Sequence, residues 1–220
     1  MTANDMPTVP PPDRPQPSGS GPIGASAGEI PFTISNAKAG SRALDEWYRQ
    51  YAGQEMGDVH VCMVHLHDPG TLHGKEGPLQ VPDDLRGKNV RPAHGTMARL
   101  VNSLGAGSVF AGAAEMRELL ARGAADITAS PWGSIFTFGA QDIARHHLDM
   151  PFYVTTFAFV MNKGAIDALS PENRQVMDDH CTSEWAERMA TRWADAEASG
   201  RQRMIDEGHT LYRPTPEEVQ

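Results

Sequence analysis

Two groups of residues in this chain have types and spacings that could do chemistry. The first lies between Val81 and Trp132. Arg91 ends a short strand, Lys88-Asn89-Val90-Arg91, beside small residues, and a second strand ends in Ser130-Pro131-Trp132. Strand ends of this kind are where open α/β sheets bind ligands, and a carboxylate is the group to expect beside the arginine. The second group is His65-x-His67, at the end of an apolar strand and followed by His73. Such imidazoles can serve zinc, with Asp68 or Asp126 completing the site of a metal-dependent hydrolase. Both groups also have plainer readings. Arg91 could cap its strand or pair with Asp83 or Asp84 at the surface. Ser130 and Trp132 could be turn and core residues.

Elements that must position these residues follow from periodicity. Residues 41 to 51 read as a helix, with Leu44, Trp47, Tyr48 and Tyr51 at helical spacing. Residues 58 to 66 are apolar and β-branched, a strand. Residues 67 to 82 carry Pro69, Gly70, Gly74, Gly77 and Pro78 and read as a loop. Strands and helices then alternate: strand 88–91, helix 95–104, strand 108–110, helix 113–122 ended by Gly123, strand 126–128, helix 134–146 and a long strand 151–162. That alternation predicts an α/β fold with a mostly parallel sheet. Ser170 and Pro171 open a final long helix reaching to about Gly208. Met177, Cys181, Trp185, Met189 and Trp193 recur every four residues along it and read as a core stripe. His146 and His147 read as compensation of a helix dipole. A last strand is expected over 209–213.

Composition removes several function classes. The chain has 220 residues, 21% charged and 40% hydrophobic, with a net charge of −9. A nucleic-acid binder needs a basic face to neutralise phosphates, and a membrane-surface helix needs basic residues too. No apolar run approaches a membrane span. No nucleophile–base pair and no phosphate loop is evident, so an enzyme and a cofactor are not expected. The two cysteines, Cys62 and Cys181, allow one disulfide at most and read as buried free thiols. Residues 1 to 29 are rich in proline and glycine, lack the apolar segment of a secretory signal, and read as a disordered leader. Expressed as written, the chain would stay in the cytoplasm.

Several blocks, in order, resemble the substrate-binding proteins of tripartite ATP-independent periplasmic (TRAP) transporters, the DctP-type family. They are IPFTISNAKAGSRALDEWY, HLHDPGTLHGKEGPLQVPDDLRGKNVRP, LGAGSVFAGAAEMRELLARGAADITASPW and FAFVMNKGAIDALSPENRQVM, and the likeness spans residues 30 to 220. The resemblance implies two α/β lobes of periplasmic-binding-protein type, closing on ligand about a hinge. It places residues 30–80 in a first-lobe remnant and hinge, 81–162 in the second lobe, and 163–220 in a long helix and return segment. Much of the first lobe is absent from the match, so one lobe is expected to be incomplete and the isolated chain to bind weakly or not at all.

By the same resemblance Arg91 pairs with a substrate carboxylate, whose two oxygens match the guanidinium fork. Ser130 and Trp132 form a second contact cluster, Ser130 standing where many members carry an amide. Ala113 replaces an aromatic residue, and Thr71 and His73 are the nearest counterparts of a second arginine. Phe152, Tyr153 and Phe157 lie on the strand nearing the cleft. The implied activity is reception of a small organic carboxylate in the periplasm for TRAP membrane subunits, without a cofactor or metal. The zinc reading, suggested by a likeness of VHLHDPG to the first metal strand of amidohydrolases, is the weaker one. Such enzymes use a barrel of about 250 residues, and too little chain follows the histidines to build it. A cytosolic effector-binding module of similar lobe architecture is the third reading; no helix-turn-helix segment supports it.

Overall fold

The computed structural model describes residues 24–219. Of the predicted leader, residues 1–23 lie outside these. Residues Ala25–Glu29 form a 3-10 helix, with Glu29 buried. Helix α1, Ala37–Glu55, starts at Asn36, whose side chain accepts from the Ala39 amide. It is longer than its apolar repeat because Ala37 and Ser41 are also buried. Strand β1, Val59–Leu66, follows. Strand β2, Thr71–Gly74, lies inside the segment read as a loop. Its four residues, crowded by prolines and glycines, carry no alternation, because both faces are buried.

Next come a 3-10 turn at Pro82–Leu85, β3 at Asn89–Arg91, α2 at Gly95–Ser103 and β4 at Gly107–Ser108. A 3-10 turn at Ala113–Glu115 leads into α3, Met116–Ala121, and Gly123 beyond it takes a positive φ of 72°, as a helix-terminating glycine should. Strand β5, Ile127–Ser130, and the short α4, Ser134–Thr137, follow. The helix expected over 134–146 stops at Thr137, and residues His146–Leu148 are strand β6. His146 and His147 therefore do not compensate a helix dipole. Strand β7 is Thr156–Asn162, shorter than its apolar run, and α5 is Lys163–Asp167.

The expected last helix is two: α6, Pro171–His180, and α7, Ser183–Asp206. The break at Cys181 and Thr182 lets the Thr182 side chain cap α7 by accepting from the Trp185 amide. It also brings Cys181 to β1, where it forms a disulfide with Cys62 across a Cα–Cα distance of 4.5 Å. The free-thiol expectation is thus corrected: an apolar periodicity shows that a cysteine is buried, not what it faces. Strand β8, Thr210–Tyr212, ends the fold.

Two sheets result. β1 and β7 pair antiparallel, with His65 opposite Phe157 and Leu66 opposite Thr156. The six-stranded sheet has the order β4-β3-β5-β2-β6-β8. Three of its pairings are parallel, and β2 runs against both of its neighbours, which makes the sheet mixed. Helix α7 spans the two bodies. Its Ala186 packs with Cys62 and Met63 of β1, and its Met204 packs with Trp132, Ile135 and Met116 in the larger body. No described helix is long and apolar enough to cross a membrane.

Candidate ligand-binding site

Arg91 ends β3, which pairs parallel with β4 on one edge and β5 on the other. Only 7% of the residue is exposed. Its Nε donates to the Ala111 carbonyl at 3.1 Å and its Nη1 to the Ala129 carbonyl at 3.2 Å. Nη2 makes no hydrogen bond, and no carboxylate comes within ion-pair distance, among the described residues. The surface pairing with Asp83 or Asp84 does not form: Asp83 holds Arg86 at 3.0 Å, and Asp84 accepts from the Gln80 and Val81 amides. Burial lowers the guanidinium's pKa, yet arginine stays charged in proteins. A buried cation without a direct ion-pair partner is costly; the Glu115 carboxylate favours its charge only from beyond ion-pair distance, and Nη2 is left to offer.

Tyr153 stands in the electrostatic reach of both Arg91 and Glu197. It is 1% exposed, and its hydroxyl has no hydrogen-bond partner. Burial raises its pKa, so at neutral pH the group is a proton donor. Rings gather around it. His67 meets Tyr153 edge-on at 5.5 Å between centroids and Trp193 at 5.8 Å. His65 stacks on its cross-strand partner Phe157 at 5.4 Å, and Phe157 lies 5.0 Å from Trp193. The structure therefore brings together Arg91, Tyr153 and Phe157 of the expected residues, with aromatic walls from β1 and α7.

Ser130, Trp132 and His73 form a neighbouring cluster inside the larger body. His73 is fully buried; its Nε2 donates to the Ser130 carbonyl at 3.0 Å and its Nδ1 faces Nδ1 of His147 at 2.7 Å. Trp132 packs edge-on against His73 at 5.1 Å, and its indole nitrogen is buried without a partner. The Thr71 hydroxyl lies against the Leu148 and Met150 carbonyls. Phe152 is buried in the core with Leu72 and Leu85, and Ala113 is half-buried at the start of a 3-10 turn.

The zinc arrangement does not assemble. His67 spends both ring nitrogens: Nδ1 donates to the Asp68 carbonyl at 2.6 Å, and Nε2 accepts from the Thr155 amide at 3.1 Å. Burial holds its pKa down at about 4. The Asp68 carboxylate caps α1 through the Ala37 amide, and the Asp126 carboxylate accepts from the Asn89 amide. Among the described residues no three such side chains are grouped to hold a metal.

Sequence reasoning missed Trp193 and Glu197. Trp193 lay in a stripe taken as core, and Glu197 follows it by one helical turn. Only that spacing hints that the indole N–H donates to the carboxylate, at 2.8 Å.

Comparison with known proteins places these observations in context. Residues 24–220 match the family described as bacterial extracellular solute-binding protein, family 7, DctP. A curated relative, the outer membrane transporter protein TsaT of Comamonas testosteroni, is 26% identical over 166 residues, covering 73% of this chain and 49% of that protein. A TRAP solute-binding protein from a marine metagenome, specific for aromatic acid ligands and crystallised with 3-hydroxybenzoate, superposes with a TM-score of 0.83 at 27% identity, over 89% of this chain and 62% of its own. One from Rhodoferax ferrireducens, with copurified benzoate, superposes with a TM-score of 0.85 at 27% identity, over 90% and 63%. The chain thus spans about half the length of this curated relative and under two thirds of these solved structures.

Proposed function

The chain belongs to family 7 of the bacterial extracellular solute-binding proteins, a family of receptors and not of enzymes, and from that premise we propose that it receives a small aromatic carboxylate on behalf of a TRAP-type transporter. The observation that carries this reading is Arg91, a buried cation with no carboxylate in ion-pair contact among the described residues, in the electrostatic reach of a tyrosine hydroxyl without a partner. A ligand carboxylate would meet both needs: Nη2 and the Tyr153 hydroxyl are two donors for one anion, and charge-assisted bonds are the strong ones. The rings of His67, Phe157 and Trp193 supply a wall for the rest of the ligand. Ser130, Trp132 and His73 belong to this proposal as the packing that supports the end of β5. The bound benzoate and 3-hydroxybenzoate of the two solved relatives argue for a ring on the ligand.

Helix α1 and the β1–β7 sheet would belong to the first lobe and hinge, and the six-stranded sheet, β2 included, to the second lobe. The partners would be the transporter's membrane subunits. The location would be extracytoplasmic, which the Cys62–Cys181 disulfide supports, since such bonds persist in oxidising compartments.

Benzoate titration of the 220-residue chain, read by ligand-observed NMR, tests this. Binding at about 1 mM or tighter is expected, and Arg91→Gln should weaken it by roughly tenfold or more, the worth of one charged hydrogen bond. Equal affinity in the two proteins would overturn the assignment.

A further inference from the structure

Helix α7 carries a detail that a core stripe does not require. Met189, one turn before Trp193, is 37% exposed, so the stripe is not a continuous buried seam. Trp193 leaves it to sit among the rings of Phe157, His67 and His65, at 5.0, 5.8 and 6.1 Å between centroids. Its orientation is fixed from behind. The indole N–H donates to Oε1 of Glu197, which also accepts from the Ser134 hydroxyl at 2.6 Å. Oε2 of Glu197 accepts from the amides of Gly133 and Ser134, the latter at 3.0 Å. Glu197 is 5% exposed and has no ion-pair partner among the described residues; four donors hold its charge. The backbone there is pressed close: a Cβ on Gly200 would overlap Gly133. Glu197 is thus pinned to the turn after β5, and through it so is the Trp193 ring.

We propose that Trp193 sets the preference of the site for flat, ring-bearing carboxylates, and that Glu197 is its positioning residue. This rests on the receptor reading above. A rigid indole face rewards an aromatic ring over a saturated one of equal size and charge.

The test compares benzoate with cyclohexanecarboxylate on the 220-residue chain. Both affinities are measured on the same sample, so a partly unfolded fraction cancels in their ratio. The wild type should favour benzoate by roughly three- to tenfold. Trp193→Leu should bring the ratio close to one, and Trp193→Phe should keep part of it. Glu197→Gln should lower the ratio in the wild-type background but not in the Trp193→Phe background, where no indole N–H remains to be held. A ratio unmoved by Trp193→Leu overturns the proposal, as does an equal effect of Glu197→Gln in both backgrounds. Arg91→Gln separates the two claims: it should weaken both acids together. If it does and the ratio ignores Trp193, the specificity claim alone fails; if it weakens neither acid, the receptor reading fails.

Discussion

Three histidines far apart in sequence, His73, His147 and His209, form one buried chain, and the Ser130 carbonyl fixes its direction. A carbonyl only accepts, so Nε2 of His73 carries a proton and Nδ1 accepts from Nδ1 of His147. Nε2 of His147 then accepts from Nδ1 of His209, at 2.8 Å. The remaining nitrogen, Nε2 of His209, is buried without a hydrogen bond, 3.8 Å from the Glu207 carboxylate. All three rings are neutral in this arrangement. Burial lowers the pKa of His73 to about 4, as it does for His67 and His94, and lowers those of His147, His209 and His65. Groups with lowered folded-state pKa values bind more protons when unfolded. Their stability is therefore intact above the ordinary histidine value of 6.5 and is lost as pH falls from there towards about 4. Glu29, raised by burial, has the opposite sign, but it is one group against six. Stability from urea unfolding should fall continuously below about pH 6.5, by about 1 kcal/mol over the first pH unit for each of His67, His73 and His94; a flat profile from pH 7 to 5 would contradict the neutral chain. Little of this was legible in the sequence. Arg91 could be picked out because it ends a short strand at the position where the family resemblance puts a carboxylate's partner. His73, His147 and His209 could not, because they meet only through the pairing of β2 with β6 and of β6 with β8.

At the scale of elements, the order of strands and helices from β3 to β5 was readable because each has its own period and its own turn glycine. The departures share a cause: tertiary contacts that leave no period behind. Strand β2 is four residues in a glycine–proline segment, made a strand by two antiparallel neighbours. The long final helix breaks at Cys181 because the chain there turns to reach β1. The disulfide ties the start of α7 to the middle of β1 across 119 residues. Closing so long a loop restricts the unfolded chain strongly, by about 4 to 5 kcal/mol in the chain-entropy view. Reduction, or the pair Cys62→Ala with Cys181→Ala, should lower the urea midpoint by a corresponding amount. An unchanged midpoint after complete reduction would show that α7 is held by packing alone.

For the whole molecule, the proposed site lies on a seam. Arg91 comes from the larger sheet, His65, His67 and Phe157 come from the two-stranded sheet, and Trp193 comes from the middle of the helix that spans both bodies. A net charge of −9 does not argue against an anionic ligand, because at 0.15 M salt surface charges are screened beyond about 8 Å whereas the Arg91 guanidinium is buried and near. A ligand bridging these parts should stiffen elements that share no sheet. Binding only to the folded state also stabilises it, by about 2.7 kcal/mol at a hundredfold excess over the dissociation constant. Hydrogen exchange with and without saturating benzoate should therefore show slowed amides in β7 near Phe157 and in α7 near Trp193 as well as around Arg91, and Arg91→Gln should weaken all three effects together at the same benzoate concentration. Protection confined to β3 and its flanking turns would mean that the ligand sits on one body only. In that case the rings of β1 and α7 would be hinge packing, and the seam would not be the binding surface.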